Sequence, residues 1–305
     1  MNDATRADSA PSISTGLLTP RVLIPLALVG VYLIWGSTYY GLRVALTGFP
    51  PFALAAIRFA IAGGLLFALL RWRGSAAPTP RQWFNSLITG TLLLGVGNGG
   101  VCFAEQTVAS GIAAVAVASA ALFMAIFAGL YGLWPSRMEW IGLIIGFVGI
   151  VVLNLGGELR GSPIGAIALV ISPIAWAFGS VWSKHQDMPE PMMSAAAQML
   201  AGSVPLGIVS IASGEHFTAA PGTTALAAMA YLIVFGSLLG FSAYIYVLHH
   251  TRPALASSYA YVNPPVAVLV GVLLGGEAIS RLDIIGTVII VAGVAAITLA
   301  KAKKA

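Results

Sequence analysis

Apolar residues run down the chain in blocks about 20 residues long, separated by short polar connections that hold nearly all of the charge. Blocks of that length match a helix crossing hydrocarbon at about 1.5 Å per residue, whereas a membrane β-barrel would show alternating segments of about ten. Ten spans are predicted, at 22–44, 52–71, 83–103, 108–133, 138–156, 163–183, 191–212, 225–247, 253–275 and 283–300. Short connections make consecutive helices antiparallel neighbours. Residues 1–20 are polar and are expected to form a disordered cytoplasmic tail, with 301–305 a short basic cytoplasmic tail.

The pattern repeats. Arg137-Met-Glu-Trp-Ile-Gly142 is answered by Arg281-Leu-Asp-Ile-Ile-Gly286 at an offset of 144 residues, and Gly149 by Gly293. Trp35 with Arg43 is answered by Trp176 with Lys184 at an offset of 141. Two blocks follow, 21–156 and 163–300, with five spans each. Five is odd, so the second block enters the membrane upside down. An inverted 5+5 repeat is a transporter architecture whose substrate site lies between the halves.

Composition fixes the class. The chain is 58% hydrophobic and 8% charged, more apolar surface than a soluble domain of 305 residues can hide. An all-α polytopic membrane protein results, with ten transmembrane helices around a central cavity. The single cysteine, Cys102, excludes an internal disulfide. A pI near 9.5 raises nucleic acid as a partner, but no basic cluster joins aromatic platforms, and the positive charge sits in short loops and the C-terminal tail. That distribution is an orientation signal. With the N-terminus cytoplasmic, the inner side receives most Lys and Arg, the outer side only Arg43, Arg160 and Arg281, and Arg58 lies inside the second span. Both termini are then cytoplasmic.

Function is sought where polar groups interrupt the lipid-compatible pattern. From Pro253 to Gly276 no side chain is charged, yet Ser257, Ser258, Tyr259, Tyr261 and Asn263 crowd around Pro264 and Pro265. Each proline removes a donor, leaving the carbonyls of Ala260 and Tyr261 without helical partners, so a break and hinge are expected there. Serines bonded to their own carbonyls in a kinked packing helix give the same sequence. Span 1 adds Trp35, Ser37, Thr38 and Tyr39; span 3 Asn98 among four glycines; span 6 Trp176 and Ser180; span 8 Ser237 and Tyr244. The paired tryptophans either wall the cavity with flat apolar faces or pack at a membrane interface. Arg58 either snorkels and packs or serves the cavity. Gly142 and Gly146 form a small-xxx-small pair that lets helices approach closely.

No acidic residue falls at mid-membrane, so a proton-coupling carboxylate is not expected in the pathway. Among the histidines, His249 and His250 at the inner end of span 8 are the one alternative for proton work. There is no HExxH motif, no pair of mid-depth aspartates and no Ser-His pairing for an intramembrane enzyme, and neither cofactor nor metal is expected.

AAIRFAIAGGLLFALLRWR in the second span, the small-residue run from Ala109 to Leu133, and ASSYAYVNPPVAVLVGVLLGGEAIS resemble the drug/metabolite transporter superfamily, specifically its EamA-type exporters. Length, span number and the aromatic first span YLIWGSTYYGLR are most similar to YddG-type amino-acid exporters. The resemblance implies a ten-helix carrier of a bacterial-type inner membrane with its cavity between the halves, exporting amino acids, aromatic and other, by alternating access. A single chain suffices for such a cavity. Another neutral metabolite or drug remains the alternative cargo. Ser119-Ala120-Ala121 stands where the second half has Asn263-Pro264-Pro265, so the repeat is imperfect at the kink.

Overall fold

The structure, a computed structural model, describes residues 19–104, 106, 110–153, 155, 162–217, 219–275 and 280–300. Of the expected tails, residues 1–18 and 301–305 lie outside the described residues, as do Glu105, Glu158 and Glu277, while Pro20 already belongs to the first helix.

Among the described residues the secondary structure is helical and the helices form ten spans. They are α1 (Pro20–Ala45), α2 (Pro51–Trp72), α3 (Pro80–Ala104), α4 (Ser110–Leu130), α5 (Arg137–Leu153), α6 (Pro163–Ser183), α7 (Pro191–Ala212), α8 (Thr223–His250), α9 (Pro253–Ala256 and Tyr259–Gly275) and α10 (Arg281–Leu299). Eight of these are long and apolar enough to cross a bilayer by length and composition, and α4 and α5 complete the first half. Proline opens α1, α2, α3, α6, α7 and α9, where its missing donor is one the helix could not have used. Gly74 and Gly214 take φ of +86° and +72° just past α2 and α7, a left-handed turn that a side chain would strain. Ser136–Glu139 and Ser280–Asp283 make matching reciprocal caps at the starts of α5 and α10.

Packing obeys the repeat. α2 lies against its counterpart α7 and α5 against α10, while α4 packs on α6 as α9 packs on α1. At the α5–α10 seam the helices nearly touch: a Cβ on Gly142 would stand 2.7 Å from the Gly293 carbonyl oxygen, and one on Gly149 3.0 Å from that of Gly286. An odd number of spans per half turns the second half over, giving an inverted 5+5 repeat.

Two local features differ from expectation. The first concerns α9, whose helix is continuous through Pro264 and Pro265; the interruption is the turn at Ser257–Ser258. Proline's fixed φ suits a helix, and its ring presses on the carbonyl four residues back. That pressure falls on Ala260 and Tyr261, in the first turn, so the chain yields just upstream. The second is that α3 and α8 pass through π-helical stretches at Thr91–Asn98 and Leu232–Phe241, equivalent places in the two halves. Side chains of α1 and α6 answer them alike: Trp35 Nε1 donates to the Gly236 carbonyl at 3.0 Å, and Ser172 Oγ to the Val96 carbonyl at 3.2 Å. Such stretches occur frequently at functional sites.

Candidate substrate site

A cavity of about 130 Å³ lies between the halves, walled by α1, α2, α3, α4, α6, α8 and α9. Its lining residues sit at mid-helix or toward the end of the bundle away from the chain termini, from Leu42 near the end of α1 to Trp176 midway along α6. An aromatic layer forms the floor. Trp35 and Trp176 meet edge to face with centroids 5.6 Å apart, and Tyr259 stands 4.9 Å from Trp35, also edge to face. Beneath them Tyr244 is fully buried, accepts from Trp176 Nε1 at 3.2 Å, and shares a 2.6 Å hydrogen bond with Ser180.

The half of the bundle below this layer is tied shut. Tyr32 and Ser258 hydroxyls bond at 2.5 Å between α1 and α9. Lys184, just past α6, donates to the Thr251 carbonyl at 2.8 Å. Arg252 Nη1 forms a 2.7 Å ion pair with buried Glu139, and its Nη2 donates to the Ala300 carbonyl at 2.7 Å. The α8–α9 connection is thereby fastened to α5, α6 and α10.

Of the residues expected at the cavity, Trp35, Thr38, Tyr39, Asn98, Trp176 and Asn263 line it. Tyr244 and Ser180 support its floor instead. Ser37 is placed elsewhere: it bonds the Leu33 and Ile34 carbonyls and the Tyr231 hydroxyl. Ser257 is buried and donates to the Ala254 carbonyl, and Ser237 is buried without a hydrogen-bond partner among the described residues. Tyr261 faces Gly146 of α5, where a Cβ would stand 2.6 Å from its ring. A span's polar content is legible in sequence, but the direction each polar group faces depends on rotation about the helix axis, which the neighbours set.

Arg58 is the functional candidate that the sequence left between two readings. A carboxylate from the α7–α8 connection, Glu215, accepts from the amides of Phe52 and Ala53 at 3.0 and 2.8 Å and fixes the start of α2. About two turns further in, Arg58 reaches the cavity wall, 7% exposed, with Nη2 donating to Asn98 Oδ1 at 3.2 Å. Its guanidinium carbon lies 4.3 Å from the Phe59 ring centroid. No acidic side chain among the described residues lines the cavity. Depth in an apolar run was the available signal; the partner, forty positions away, was not.

Two tandem matches decide the family: the model of the EamA-like transporter family matches residues 23–155 and again 163–299. The chain belongs to the EamA-like transporter family. It is thus a membrane transporter of the drug/metabolite transporter superfamily, each half one EamA copy. It is 47% identical over 284 residues to the uncharacterized inner membrane transporter YedA of Escherichia coli K12, covering 92% of this chain and 93% of that one. It is 26% identical to the uncharacterized transporter YvbV of Bacillus subtilis, covering 94% and 95%. A WAT1-related chloroplastic protein of Arabidopsis thaliana is 25% identical, covering 86% of this chain and 66% of the plant protein. A solved crystal structure superimposes with a TM-score of 0.76 at 21% identity, covering 90% of this chain and 97% of the other, a likeness of fold.

Proposed function

We propose that this EamA transporter exports amino acids, aromatic ones among them, across a bacterial-type inner membrane by alternating access. The observation that supports the reading is the cavity floor, where Trp35 and Trp176, from equivalent helices of the two halves, close the passage at mid-depth. Flat apolar faces suit a side chain, and the uncharged groups of Thr38, Asn98 and Asn263 suit the polar ends of a zwitterion. About 130 Å³ is a small-metabolite volume, well below the roughly 300–1000 Å³ of drug-sized pockets.

Arg71, Arg73, Arg81, Arg137, Lys184 and Arg252 stand at the end that holds the termini, with Arg43 and Arg281 at the other. By the positive-inside rule the tied end is cytoplasmic and the cavity faces outward. Export then requires the Trp35–Trp176 layer and the α8–α9 fastening to open together, with the Pro264–Pro265 segment of α9 as hinge. With no carboxylate among the described residues of the wall, transport runs on the substrate gradient.

Purified protein in liposomes, tested for counterflow with each of the twenty common amino acids labelled in turn, examines this reading. Accumulation of labelled amino acid against unlabelled interior substrate, insensitive to an imposed pH gradient, is expected. Absence of counterflow for all twenty would end the amino-acid reading; collapse on removing a pH gradient would end the uncoupled one.

A further inference from the structure

Arg58 is a buried cation that the described residues leave nearly unanswered. A guanidinium has five donors, and a packing arginine at depth normally turns them to carbonyls or a carboxylate. Here, among the described residues, one donor meets a neutral amide oxygen, Asn98 Oδ1 at 3.2 Å, Nε has no hydrogen-bond partner, and the other neighbours are the face of Phe59 and the side chain of Cys102, neither of which carries a counter-charge. Asn98 is held at this spot by the π-helical end of α3, and Arg58 by the Glu215-capped start of α2. The side chain is therefore fixed, charged and at the cavity wall, with no counterion among the lining residues.

We infer that Arg58, steadied by Asn98, is the anchor for a substrate carboxylate, which supplies the missing counter-charge each time the site fills. A planar guanidinium takes a carboxylate through two parallel N–H···O bonds, which an ammonium cannot do. The complementary acceptor is on α9: Asn263 lines the same cavity, is 3% exposed, and its Oδ1 has no hydrogen-bond partner among the described residues. A donor cation on one wall and a bare carbonyl oxygen on another are what the two ends of an α-amino acid require. This inference deepens the amino-acid reading and rests on it for the site, but it makes a separate demand: the carboxylate is the obligatory group, the ammonium the accessory one.

The test is ligand-induced thermal stabilisation of the purified full-length protein in detergent. Two matched sets serve as probes: L-alanine, propionate and ethylamine, and L-phenylalanine, 3-phenylpropionate and phenethylamine. Members bearing a carboxylate should raise the melting temperature and the amines should not. In Arg58→Gln the apparent affinity for carboxylates should fall at least tenfold. Asn98→Asp guards against a folding defect, because it places a permanent carboxylate beside the guanidinium; it should raise the melting temperature of the empty protein and abolish the response. Retained carboxylate stabilisation in either variant, equal stabilisation by the amines, or no stabilisation of the wild type by any carboxylate would overturn the anchor. Failure here separates from failure of the amino-acid reading. Counterflow of amino acids that survives Arg58→Gln removes the anchor and keeps the export; stabilisation by propionate or 3-phenylpropionate without amino-acid counterflow keeps the anchor and removes the export.

Discussion

Trp35 and Trp176 stand 141 residues apart in sequence and meet edge to face, centroids 5.6 Å apart, each contributed by the leading helix of its half. Trp35 also touches Tyr244 and Tyr259 and donates to the Gly236 carbonyl. Trp35→Ala should cut counterflow at least tenfold and Trp176→Ala by a comparable factor, because either change opens the layer that seats the substrate. Trp35→Phe keeps a ring and should retain most activity. Unaltered transport in both alanine variants, with folded protein confirmed by melting, would refute the aromatic floor.

Glu139 is 4% exposed and pairs with Arg252, which is about a third exposed. Removing one partner of a fully buried pair costs about 3–5 kcal/mol, and the exposure of Arg252 reduces this to about 1–2 kcal/mol. Glu139→Gln and Arg252→Gln should each lower the melting temperature, and the double variant should lose little more than either alone. Additive losses would show that the two side chains act separately.

Lys184 lies just outside α6 and is half-buried at the tied end. Desolvation pushes its pKa below the ordinary lysine value of 10.5, so the unfolded chain binds more protons in the window between the folded value and 10.5. Its contribution to stability is therefore fully present above 10.5 and is lost as pH falls through the folded value. Melting curves on the alkaline side should rise with pH more steeply in the wild type than in Lys184→Gln. Parallel curves would exclude the effect.

Pro264 and Pro265 withhold two donors inside a continuous helix. Replacing both by alanine restores them, and each proline costs a helix interior as much as about 3 kcal/mol. The double variant should melt higher and transport more slowly. Equal transport rates would deny this segment its hinge role.

The spans were legible because lipid leaves a helix few alternatives: each must be about 20 residues long and apolar on the outside. The repeat was legible because Arg137 and Arg281 open corresponding helices, and Trp35 and Trp176 stand at corresponding places inside another pair. Azimuth was not. Tyr261 sits two positions from Asn263 on α9, which is enough rotation to send it to Gly146 of α5 while Asn263 reaches the cavity. Nor was the place where α9 breaks, since proline marks where strain originates and the backbone gives way at Ser257–Ser258. Gly95 with Gly236 and Gly99 with Gly240 weaken their helices at matched positions, but weakness alone does not say that the outcome is a wider coil.

That wider coil has a mechanical consequence. A stretch bonded five residues ahead holds surplus chain relative to an α-helix, and moving that surplus by one residue turns what lies beyond it by about 100° with little loss of hydrogen bonds. Asn98 ends one such stretch, and Phe241, beside the tryptophans, ends the other. Each half of the protein thus contains a swivel at bilayer depth, and turning both would re-aim the wall that Arg58 leans on and the ring that Trp176 rests against.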